Sequence, residues 1–558
     1  MLMQDGSLHA AKLGKDATQL GQRSRAVYAA PVSQVKGSYD AIVVGSGFGG
    51  GIAACRLAEA NRSVCVLERG RRFGRDDFPD SPDNLDDFVW NRANPRGLFD
   101  VRLMRDVVVI TAAGVGGGSL VYANVQLKAP ADVFDDPHWP SAITGESIEP
   151  WYQRTEAALE PVTTPPDPAL RKMEAFAAAG RHVGKERELL PIAVHFGEPR
   201  AHPFSGVQQG GCENLARCDI GCPVHAKNTI DITYVARAES LGAEVFPLHS
   251  VERIEPPERK DGMWRVGFED LESGRSGSVE ARTLVLAAGA LGSPRLLLKN
   301  QRRLTKLSPA LGTRFSGNGD ALGIAFDAKA EDVKNARNDF GPVMTSALNY
   351  TADRKLILAD GGLPPGFHGI LDIARAENVI TGVGRWLVRL RNLVAHLGWT
   401  DQALSPRDLR SLEKGPGSTT PNQDALIFLM FGRDAADGRM RLTPLLRRFD
   451  IRWSKAGSQK LFEQLEHTAR ELAGGVDATP FYALEAGPLG KFTTVHPLGG
   501  CPMGDEPDTS VVNDAGHVWG YPGLYVLDGS IVPTSLGVNP SKTIAALAER
   551  GMDRMLAG

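Results

Sequence analysis

The chain has 558 residues, of which 42% are hydrophobic and 23% are charged, and its formal net charge is −3. This length exceeds a usual single hydrophobic core, so we expect two domains, and the near-neutral charge argues against a general nucleic-acid partner. Residues 1–38 are a polar N-terminal extension that lacks the apolar centre of a signal peptide. No apolar run approaches the length of about 18 residues that spans a membrane, which indicates a cytoplasmic protein.

Residues 39–70 have the pattern of a nucleotide-binding unit: an apolar strand at 41–44, a helix at 52–60 and a second strand at 63–67 that ends at Glu68. Glycines in the first turn permit close approach of a pyrophosphate, whose charge the helix N-terminus stabilises. A carboxylate at the end of the second strand can accept hydrogen bonds from a ribose diol. The unit therefore predicts a bound adenine dinucleotide. Its turn, which fits G-x-G-x-x-G, consists of Gly45, Ser46, Gly47, Phe48, Gly49 and Gly50.

A second glycine-rich segment follows an apolar strand predicted at 107–111. Residues 114–124 read GVGGGSLVYAN, and the missing side chains indicate a backbone that contacts something flat or charged. A glycine-rich hairpin explains the same pattern, so both interpretations stay open at this point.

The remaining chain alternates between helical and strand-like patterns, without internal repeats. A further strand, glycine turn and helix beginning at Ser293 are predicted over 283–299, as a second crossover in the sheet of the nucleotide unit. Other helices are predicted at 148–159, 169–183, 226–241 and 542–556, and other strands at 244–251 and 425–431.

Residues 383–399 predict an amphipathic helix whose apolar face, with Trp386, is flanked by three arginines. Such a helix either covers the substrate domain or contacts a membrane surface or an apolar substrate, which would make the protein peripheral to a membrane.

Four ordered blocks of the sequence resemble the glucose–methanol–choline (GMC) flavoprotein oxidoreductases, and within them the bacterial cholesterol-oxidase-like branch. The blocks are 39–70, 113–124, 283–298 and 494–556, and the last contains HPLGGCPMG and GYPGLYVLDGSIVPTSLGVNPSKTIAALAERG. The middle third of the chain is less similar, which is where such enzymes differ in substrate.

The resemblance implies an α/β protein with a doubly wound, Rossmann-type FAD-binding domain assembled from discontinuous segments, and a sheet-based α+β substrate domain. We expect the FAD-binding domain at 39–130, 212–320 and 484–558. The substrate domain is expected at 131–211 and 321–483.

The resemblance also assigns cofactor contacts. The first glycine turn would hold the pyrophosphate of FAD, and Glu68 its adenosine ribose. Gly116, Gly117, Gly118 and Tyr122 would approach the isoalloxazine, Val251 the adenine, and Asp528 with Gly529 the end of the FAD chain near the ring. The second and fourth glycine-rich blocks favour a flavin that stays bound over a dissociable NAD.

The chemistry is expected at His496 and Asn539, where the family pairs a His with a His or an Asn. Oxidising an alcohol requires removal of the hydroxyl proton while a hydride leaves the carbon for flavin N5. A neutral imidazole is suited to accept that proton near neutral pH, and an amide can orient the substrate and the flavin without titrating.

The six cysteines are too few for a disulfide scaffold in a chain this long. Cys55 and Cys65 are predicted to be packing residues. Cys212, Cys218 and Cys222 approach the C-x-x-C-x-x-C-x-x-x-C-P spacing of relatives, which is that of iron–sulfur proteins, although Leu215 replaces one cysteine. They would hold a three-iron cluster or else be inert thiols that stabilise a loop.

The sequence therefore predicts an FAD-dependent oxidoreductase acting on a small-molecule alcohol, favoured to be a bulky apolar one such as a sterol. Oxygen or an external electron acceptor would reoxidise the flavin. The alternatives are a sugar or polyol dehydrogenase with an iron–sulfur relay, and a non-catalytic flavin-containing lipid-binding protein.

Overall fold

The computed structural model describes residues 34–79, 88–259, 261–364, 425–454, 456–483 and 492–557. Its strands are β1 (Ser38–Val44), β2 (Val64–Leu67), β3 (Phe99–Leu103), β4 (Val107–Ala112), β5 (Arg187–Leu189), β6 (Arg200–Ala201), β7 (Gln208–Gln209), β8 (Glu244–Phe246), β9 (His249–Glu255), β10 (Trp264–Asp270), β11 (Ser276–Leu286), β12 (Ala321–Phe326), β13 (Ser346–Tyr350), β14 (Leu356–Asp360), β15 (Leu426–Gly432), β16 (Arg439–Leu442), β17 (Phe449–Arg452), β18 (Thr479–Ala483), β19 (Phe492–Thr494) and β20 (Leu524–Val526). Its α-helices are α1 (Phe48–Glu59), α2 (Glu149–Leu159), α3 (Arg171–His182), α4 (Ala236–Ser240), α5 (Gly289–Asn300), α6 (Gln459–Gly475) and α7 (Ser541–Ala557).

The first sheet is built around β1, which pairs in parallel with both β2 and β11. β8 continues the parallel sheet beyond β2, and β20 continues it beside the last residues of β11. The resulting order β8-β2-β1-β11-β20 is that of a doubly wound nucleotide-binding sheet, which confirms the predicted fold class and its second crossover. β9 and β10 extend the sheet as antiparallel strands beside the first residues of β11.

Both faces of this parallel sheet are buried. Within β1, Ala41 and Val43 belong to one apolar cluster together with α1, and Ile42 and Val44 belong to a second cluster. Because successive side chains of a strand point to opposite faces, a strand covered on both sides needs a continuous apolar run. This is why the sequence of β1 does not alternate between apolar and polar residues.

The second sheet is antiparallel, in the order β18-β12-β15-β14-β13-β5, and helices α3 and α6 lie against it. Its strands are contributed by 187–189 and by segments between 321 and 483, as expected of a sheet-based second unit. The smaller pairings are β19-β4-β3, β6-β7 and β16-β17. The exact domain boundaries stay a prediction.

Several predicted elements differ in extent from those observed. The helix predicted at 52–60 is α1, which begins at Phe48. The helix predicted at 226–241 begins only at Asp231, with a π-helical turn before α4, because the backbone of 226–228 is hydrogen-bonded to residues 193–195. The strand predicted at 244–251 is divided into β8 and β9 around Leu248, whose φ is 60°. Helix α5 begins at Gly289 rather than at Ser293 and includes Pro294.

Candidate active site

A cavity of about 630 Å³ lies at the carboxyl ends of β1, β2 and β11 and reaches the second sheet. Ligands of doubly wound sheets bind at this edge, where the strand order reverses. The cavity is lined by most of the predicted site residues, namely Gly45, Gly47, Phe48, Gly49, Glu68, Gly117, Gly118, Tyr122, Val251, His496, Asp528, Gly529 and Asn539. Gly50 and Gly116 are the two predicted cofactor residues that adjoin this lining in sequence without contributing to it.

The turn after β1 comes into direct contact with a neighbouring backbone at Gly49. A Cβ atom at this position would lie 1.3 Å from the carbonyl oxygen of Leu527, so only glycine fits. Helix α1 begins one residue earlier, and its first N–H groups have no partner within the helix. The turn therefore has the shape and the polarity that bind a pyrophosphate.

The second glycine-rich segment is a turn, so the hairpin interpretation is wrong. Gly116 has a φ of 107° and is followed by one 3₁₀ turn over Gly117–Leu120. The turn brings Gly118 to the cavity, where a Cβ would have no atom within 4 Å. Beyond it, the hydroxyl of Tyr122 donates a hydrogen bond of 2.7 Å to the carbonyl of Asn228 and is thereby fixed.

Glu68 is buried at the end of β2, and its carboxylate is held by the glycine turn. Oε2 accepts hydrogen bonds from the backbone N and the hydroxyl of Ser46 at 3.0 and 2.8 Å, and Oε1 accepts one from Gly70 N at 2.9 Å. Burial raises the pKa of this carboxyl group. Glu68 thus stabilises the glycine turn through hydrogen bonds to Ser46, in addition to the ribose contact that the sequence predicts for it.

Replacing Glu68 by Gln should lower the free energy of unfolding by about 1–3 kcal/mol. The amide oxygen can take the place of Oε2, but the amide NH₂ then faces the N–H of Gly70, and two donors meet. Urea unfolding of the purified protein measures the change. Glu331→Gln, at a side chain that is 86% exposed, is the matched control and should leave stability unchanged. Equal unfolding curves for both variants would contradict the supporting role of Glu68.

Asp528 joins the C-terminal block to helix α5. Its Oδ1 accepts hydrogen bonds from the N and Oγ of Ser530, and its Oδ2 accepts from Gly289 N and Ser293 Oγ. Burial raises the pKa of the Asp528 carboxyl. Because four protein donors already surround this carboxylate, its part in the cavity is to fix the backbone at Gly529.

His496 lies directly after β19 and is partly buried, with 17% of its side chain exposed. Its Nδ1 is 2.8 Å from Oδ1 of Asp320, and its ring makes a T-shaped contact with the ring of Phe431 at a centroid distance of 5.2 Å. Nε2 is therefore the ring nitrogen left for a ligand in the cavity.

Asn539 is the second predicted catalytic residue, and it lines the same cavity. The residue is 6% exposed, and its Oδ1 is buried without a hydrogen-bond partner among the described residues. A buried amide oxygen of this kind normally has a partner. The site therefore fits a bound group that would supply one.

Two carboxylates of the site were missed in the sequence. Asp320 holds His496, but it follows a glycine turn at the start of β12 and carries no motif of its own. Asp219 lines the cavity in the 3₁₀ turn Cys218–Ile220, and burial raises its pKa to about 6. Only the folded chain brings Asp219 to the cavity and Asp320 to His496, since both are far from His496 in sequence.

A third buried carboxylate, Asp434, lies behind Asp320 and has a pKa raised to about 6 by burial. A raised folded-state pKa gives stability that is present below the unfolded value and lost as pH rises through the folded one. We therefore expect the contribution of Asp434 to fall by on the order of 2–3 kcal/mol between about pH 4 and pH 7.

Thermal unfolding of Asp434→Asn and of the unchanged protein at several pH values measures this contribution of Asp434 to stability. The amide loses some hydrogen bonds at every pH, but the difference in Tm between variant and parent should move in favour of the variant as pH rises. A difference that is constant with pH would contradict the assignment.

The structure gives no support for the iron–sulfur cluster predicted at the cysteine-rich segment. Among the described residues, no group of three or more His, Cys, Asp or Glu side chains is arranged to hold a metal ion. Cys212, Cys218 and Cys222 instead pack against an apolar cluster of the second sheet, and burial raises the pKa of Cys212 to about 12. Leu215, in place of the missing cysteine, is 39% exposed. The alternative of structural thiols thus describes the segment better, and Cys55 and Cys65 are buried packing residues as predicted.

The amphipathic segment 383–399 lies outside the described residues, and its contact with a membrane or a substrate stays a prediction. Within the part of the chain that is described, no helix is both long and apolar enough to cross a bilayer.

Comparison with known proteins agrees with this geometry. Residues 39–301 match the N-terminal family profile, and residues 435–548 the C-terminal one, both described as GMC oxidoreductase. The chain belongs to the GMC oxidoreductase family. It is therefore an FAD-dependent oxidoreductase of the alcohol-oxidising type, as the four sequence blocks predict.

Several GMC relatives are similar over most of the chain. A cholesterol oxidase of Mycobacterium tuberculosis is 31% identical, covering 92% of this chain and 91% of its own. A cholesterol oxidase of Acinetobacter baumannii is 29% identical, with coverages of 92% and 94%. A long-chain-alcohol oxidase of Arabidopsis thaliana is 25% identical, and the match spans 91% of this chain and 66% of the relative.

Solved structures show the same fold. Pyridoxine 4-oxidase from Mesorbium loti superposes with a TM-score of 0.61 at 17% identity, covering 93% of this chain and 99% of the other. A fungal aryl-alcohol oxidase superposes with a TM-score of 0.57 at 15% identity, with coverages of 94% and 99%.

Proposed function

We propose that the protein oxidises a bulky apolar alcohol, such as a sterol, with FAD as its cofactor and oxygen as its electron acceptor. The observation that carries this proposal is the position of His496. It lines the same cavity as the glycine-rich turn and Asn539, and its ring packs against the ring of Phe431. A base, an amide and an apolar wall thus share one cavity with the cofactor turn.

The residues that would hold FAD are those with the required shape and polarity. The glycine turn of 45–50, whose backbone touches Leu527 at Gly49, would take the pyrophosphate. Glu68 lies where the ribose of such a nucleotide is expected, and the open backbone at Gly117 and Gly118 would lie along the ring. When bound, FAD supplies the acceptor for the hydride that leaves the alcohol carbon.

Within this scheme His496 takes the hydroxyl proton at Nε2. Neutral imidazole is the side chain whose proton affinity best matches such a transfer near neutral pH, and a base in this position typically contributes about 10²–10⁴ in rate. The proton leaves the reacting oxygen as the carbon–hydrogen bond breaks, so no charged alkoxide has to persist in the cavity.

Asn539 orients the reacting oxygen. Its side-chain NH₂ can donate to the alcohol while its Oδ1, which has no partner among the described residues, accepts from a bound group. Because an amide does not titrate, this contact is the same at every pH at which the enzyme works.

Apolar side chains line part of the cavity that contains His496, and they favour an apolar substrate. They include Val125, Met344, Leu363, Leu429 and Phe431. Burying apolar substrate surface against such a wall contributes about 25 cal/mol per Å². A sugar, in contrast, would bring several hydroxyl groups that need hydrogen-bond partners, and each one left unpaired costs about 1–3 kcal/mol.

Oxygen is proposed as the acceptor because the relatives named above are oxidases of cholesterol or of long-chain alcohols. The three cysteines of the predicted relay pack against an apolar cluster.

The test is anaerobic bleaching of the flavin absorbance of the purified protein by cholesterol, 1-dodecanol and D-glucose. We expect cholesterol to bleach it fastest, and admission of air to restore the absorbance with release of hydrogen peroxide. Faster bleaching by D-glucose would favour the sugar dehydrogenase. A flavin that cholesterol and the other two alcohols leave unchanged would favour the non-catalytic lipid-binding protein.

A further inference from the structure

We propose that the turn Ser316–Asp320 is the positioning element of the active site, which holds His496 through Asp320 and the segment before Asn539 through Asn318. The inference rests on the proposed function, since it gives both held residues their catalytic roles. Neither Asp320 nor Asn318 belongs to the sequence blocks that carry the family resemblance.

Both carboxylate oxygens of Asp320 form hydrogen bonds with the segment that contains His496. Oδ2 accepts hydrogen bonds from Val495 N at 2.9 Å and His496 N at 3.0 Å, and it lies 2.9 Å from Oγ1 of Thr494. Oδ1 is 2.8 Å from Nδ1 of His496. One side chain that is 8% exposed thus fixes both the backbone and the ring.

This arrangement decides which ring nitrogen carries the proton. A carboxylate is an acceptor only, so the nitrogen beside it must be an N–H donor. In the neutral ring the proton is then on Nδ1, and Nε2 keeps the lone pair that accepts a proton from the alcohol. Asp320 therefore acts through His496, as a positioning residue, by selecting the tautomer that can work as a base.

Asn318, two residues earlier, forms hydrogen bonds with the backbone of the segment before Asn539. Its Oδ1 accepts from Leu536 N and Gly537 N, both at 3.0 Å, and its Nδ2 donates to the carbonyl of Val538 at 2.8 Å. Asn318 is fully buried, and its φ of 57° is one that asparagine tolerates well. Three consecutive backbone units leading to Asn539 are thus tied to a single amide.

The turn Ser316–Asp320 is itself held by hydrogen bonds to the rest of the protein, so Asp320 and Asn318 are fixed together. Asp434 accepts hydrogen bonds from Ser316 Oγ at 2.9 Å and from Gly319 N at 3.0 Å. The backbone of Ser316 exchanges two further hydrogen bonds with Leu498, just beyond His496. Residues 496 and 539 come from separate loops, and this turn is what sets one relative to the other.

The decisive variant is Asp320→Asn. Two backbone N–H groups keep an oxygen at the Oδ2 position, so the amide NH₂ must face Nδ1 of His496. Nδ1 then becomes the acceptor and Nε2 carries the proton, which removes the base. We expect the protein to keep its flavin and its unfolding transition, and anaerobic reduction by cholesterol to slow by about 10²–10⁴.

The tautomer is measured without turnover, by ¹⁵N spectra of histidine-labelled holoprotein. His496→Gln identifies the His496 signals among the 12 histidines. We expect a protonated Nδ1 in the parent and a protonated Nε2 in Asp320→Asn. Asp136→Asn is the matched control, because Asp136 pairs with His138 Nδ1 at 2.7 Å on the surface, and it should leave the His496 signals and the rate unchanged.

Asn318→Gly tests the hydrogen bonds of Asn318 to residues 536–538. Glycine keeps the left-handed φ but removes these three side-chain hydrogen bonds. Its flavin reduction should fall at least about tenfold with the His496 tautomer unchanged. A parent-like His496 signal or a parent-like rate in Asp320→Asn would overturn the proposal. If His496→Gln also reduces its flavin at the parent rate, the proposed function fails instead, and the spectra still decide the role of Asp320.

Discussion

Replacing His496 by alanine should leave FAD bound and slow its anaerobic reduction by cholesterol about 10²–10⁴-fold. The side chain lines the cavity and touches the ring of Phe431, but its removal leaves the glycine turn and its supports intact. The loss should appear in the limiting rate rather than in the concentration of cholesterol at half-saturation, because the proton moves in the transition state. Stopped-flow absorbance of the flavin measures both quantities.

The matched control for this variant is His182→Ala. His182 is exposed at the end of α3, where its Nε2 lies 3.2 Å from Asp332, and it takes no part in the cavity lining. It should reduce its flavin at the parent rate. A parent-like rate in His496→Ala would contradict the role of His496 as the base. The rate can be interpreted only if this variant binds as much FAD as the parent protein.

Replacing Gly118 by alanine should keep the fold and lower the affinity for FAD. A Cβ at this position meets no atom within 4 Å in the protein alone, and Gly118 lines the cavity, so the methyl group points into space that the cofactor is proposed to fill. Overpacking of a filled site typically costs about 1–3 kcal/mol, which corresponds to about 5–150-fold weaker binding. FAD titration of the flavin-free protein measures it.

Gly37→Ala is the control, because a Cβ at this exposed position also has no atom within 4 Å. Gly37 precedes β1, at the end of that strand opposite to the cavity lining. Both variants should have the thermal transition of the flavin-free parent. Undiminished FAD affinity in Gly118→Ala would mean that the cofactor does not extend along the second glycine-rich turn.

The nucleotide-binding unit could be predicted from sequence because its signals are local. A continuous apolar strand, a glycine turn and helical spacing lie within about 30 residues. β1, α1 and β2 occur in the predicted order, although β1 and α1 begin a few residues before their predicted starts. The last helix, α7, was likewise predicted to within a residue at each end. In these segments local preference and the final fold require the same conformation.

The errors arose where distant residues decide the structure. Residues 226–228 have a helical pattern, but their backbone groups pair with 193–195, which no local pattern reveals. The cysteine spacing suggested a cluster, whereas the folded segment packs its thiols on the second sheet. Asp320 could not be found at all, because a lone acid after a glycine turn has no signature until the segment 494–496 folds beside it.

The order in which the cavity walls occur along the chain has a consequence for biosynthesis. β1 and the first glycine turn, at 38–50, are made long before β20, His496, Asp528 and Asn539, which lie between 496 and 539. A nascent chain therefore has only part of the pocket, with the end of β11 unpaired at the β20 side, until this later segment has been made. Cofactor capture must follow the synthesis of that segment, and until then the unpaired edge of β11 is a surface that a chaperone can protect.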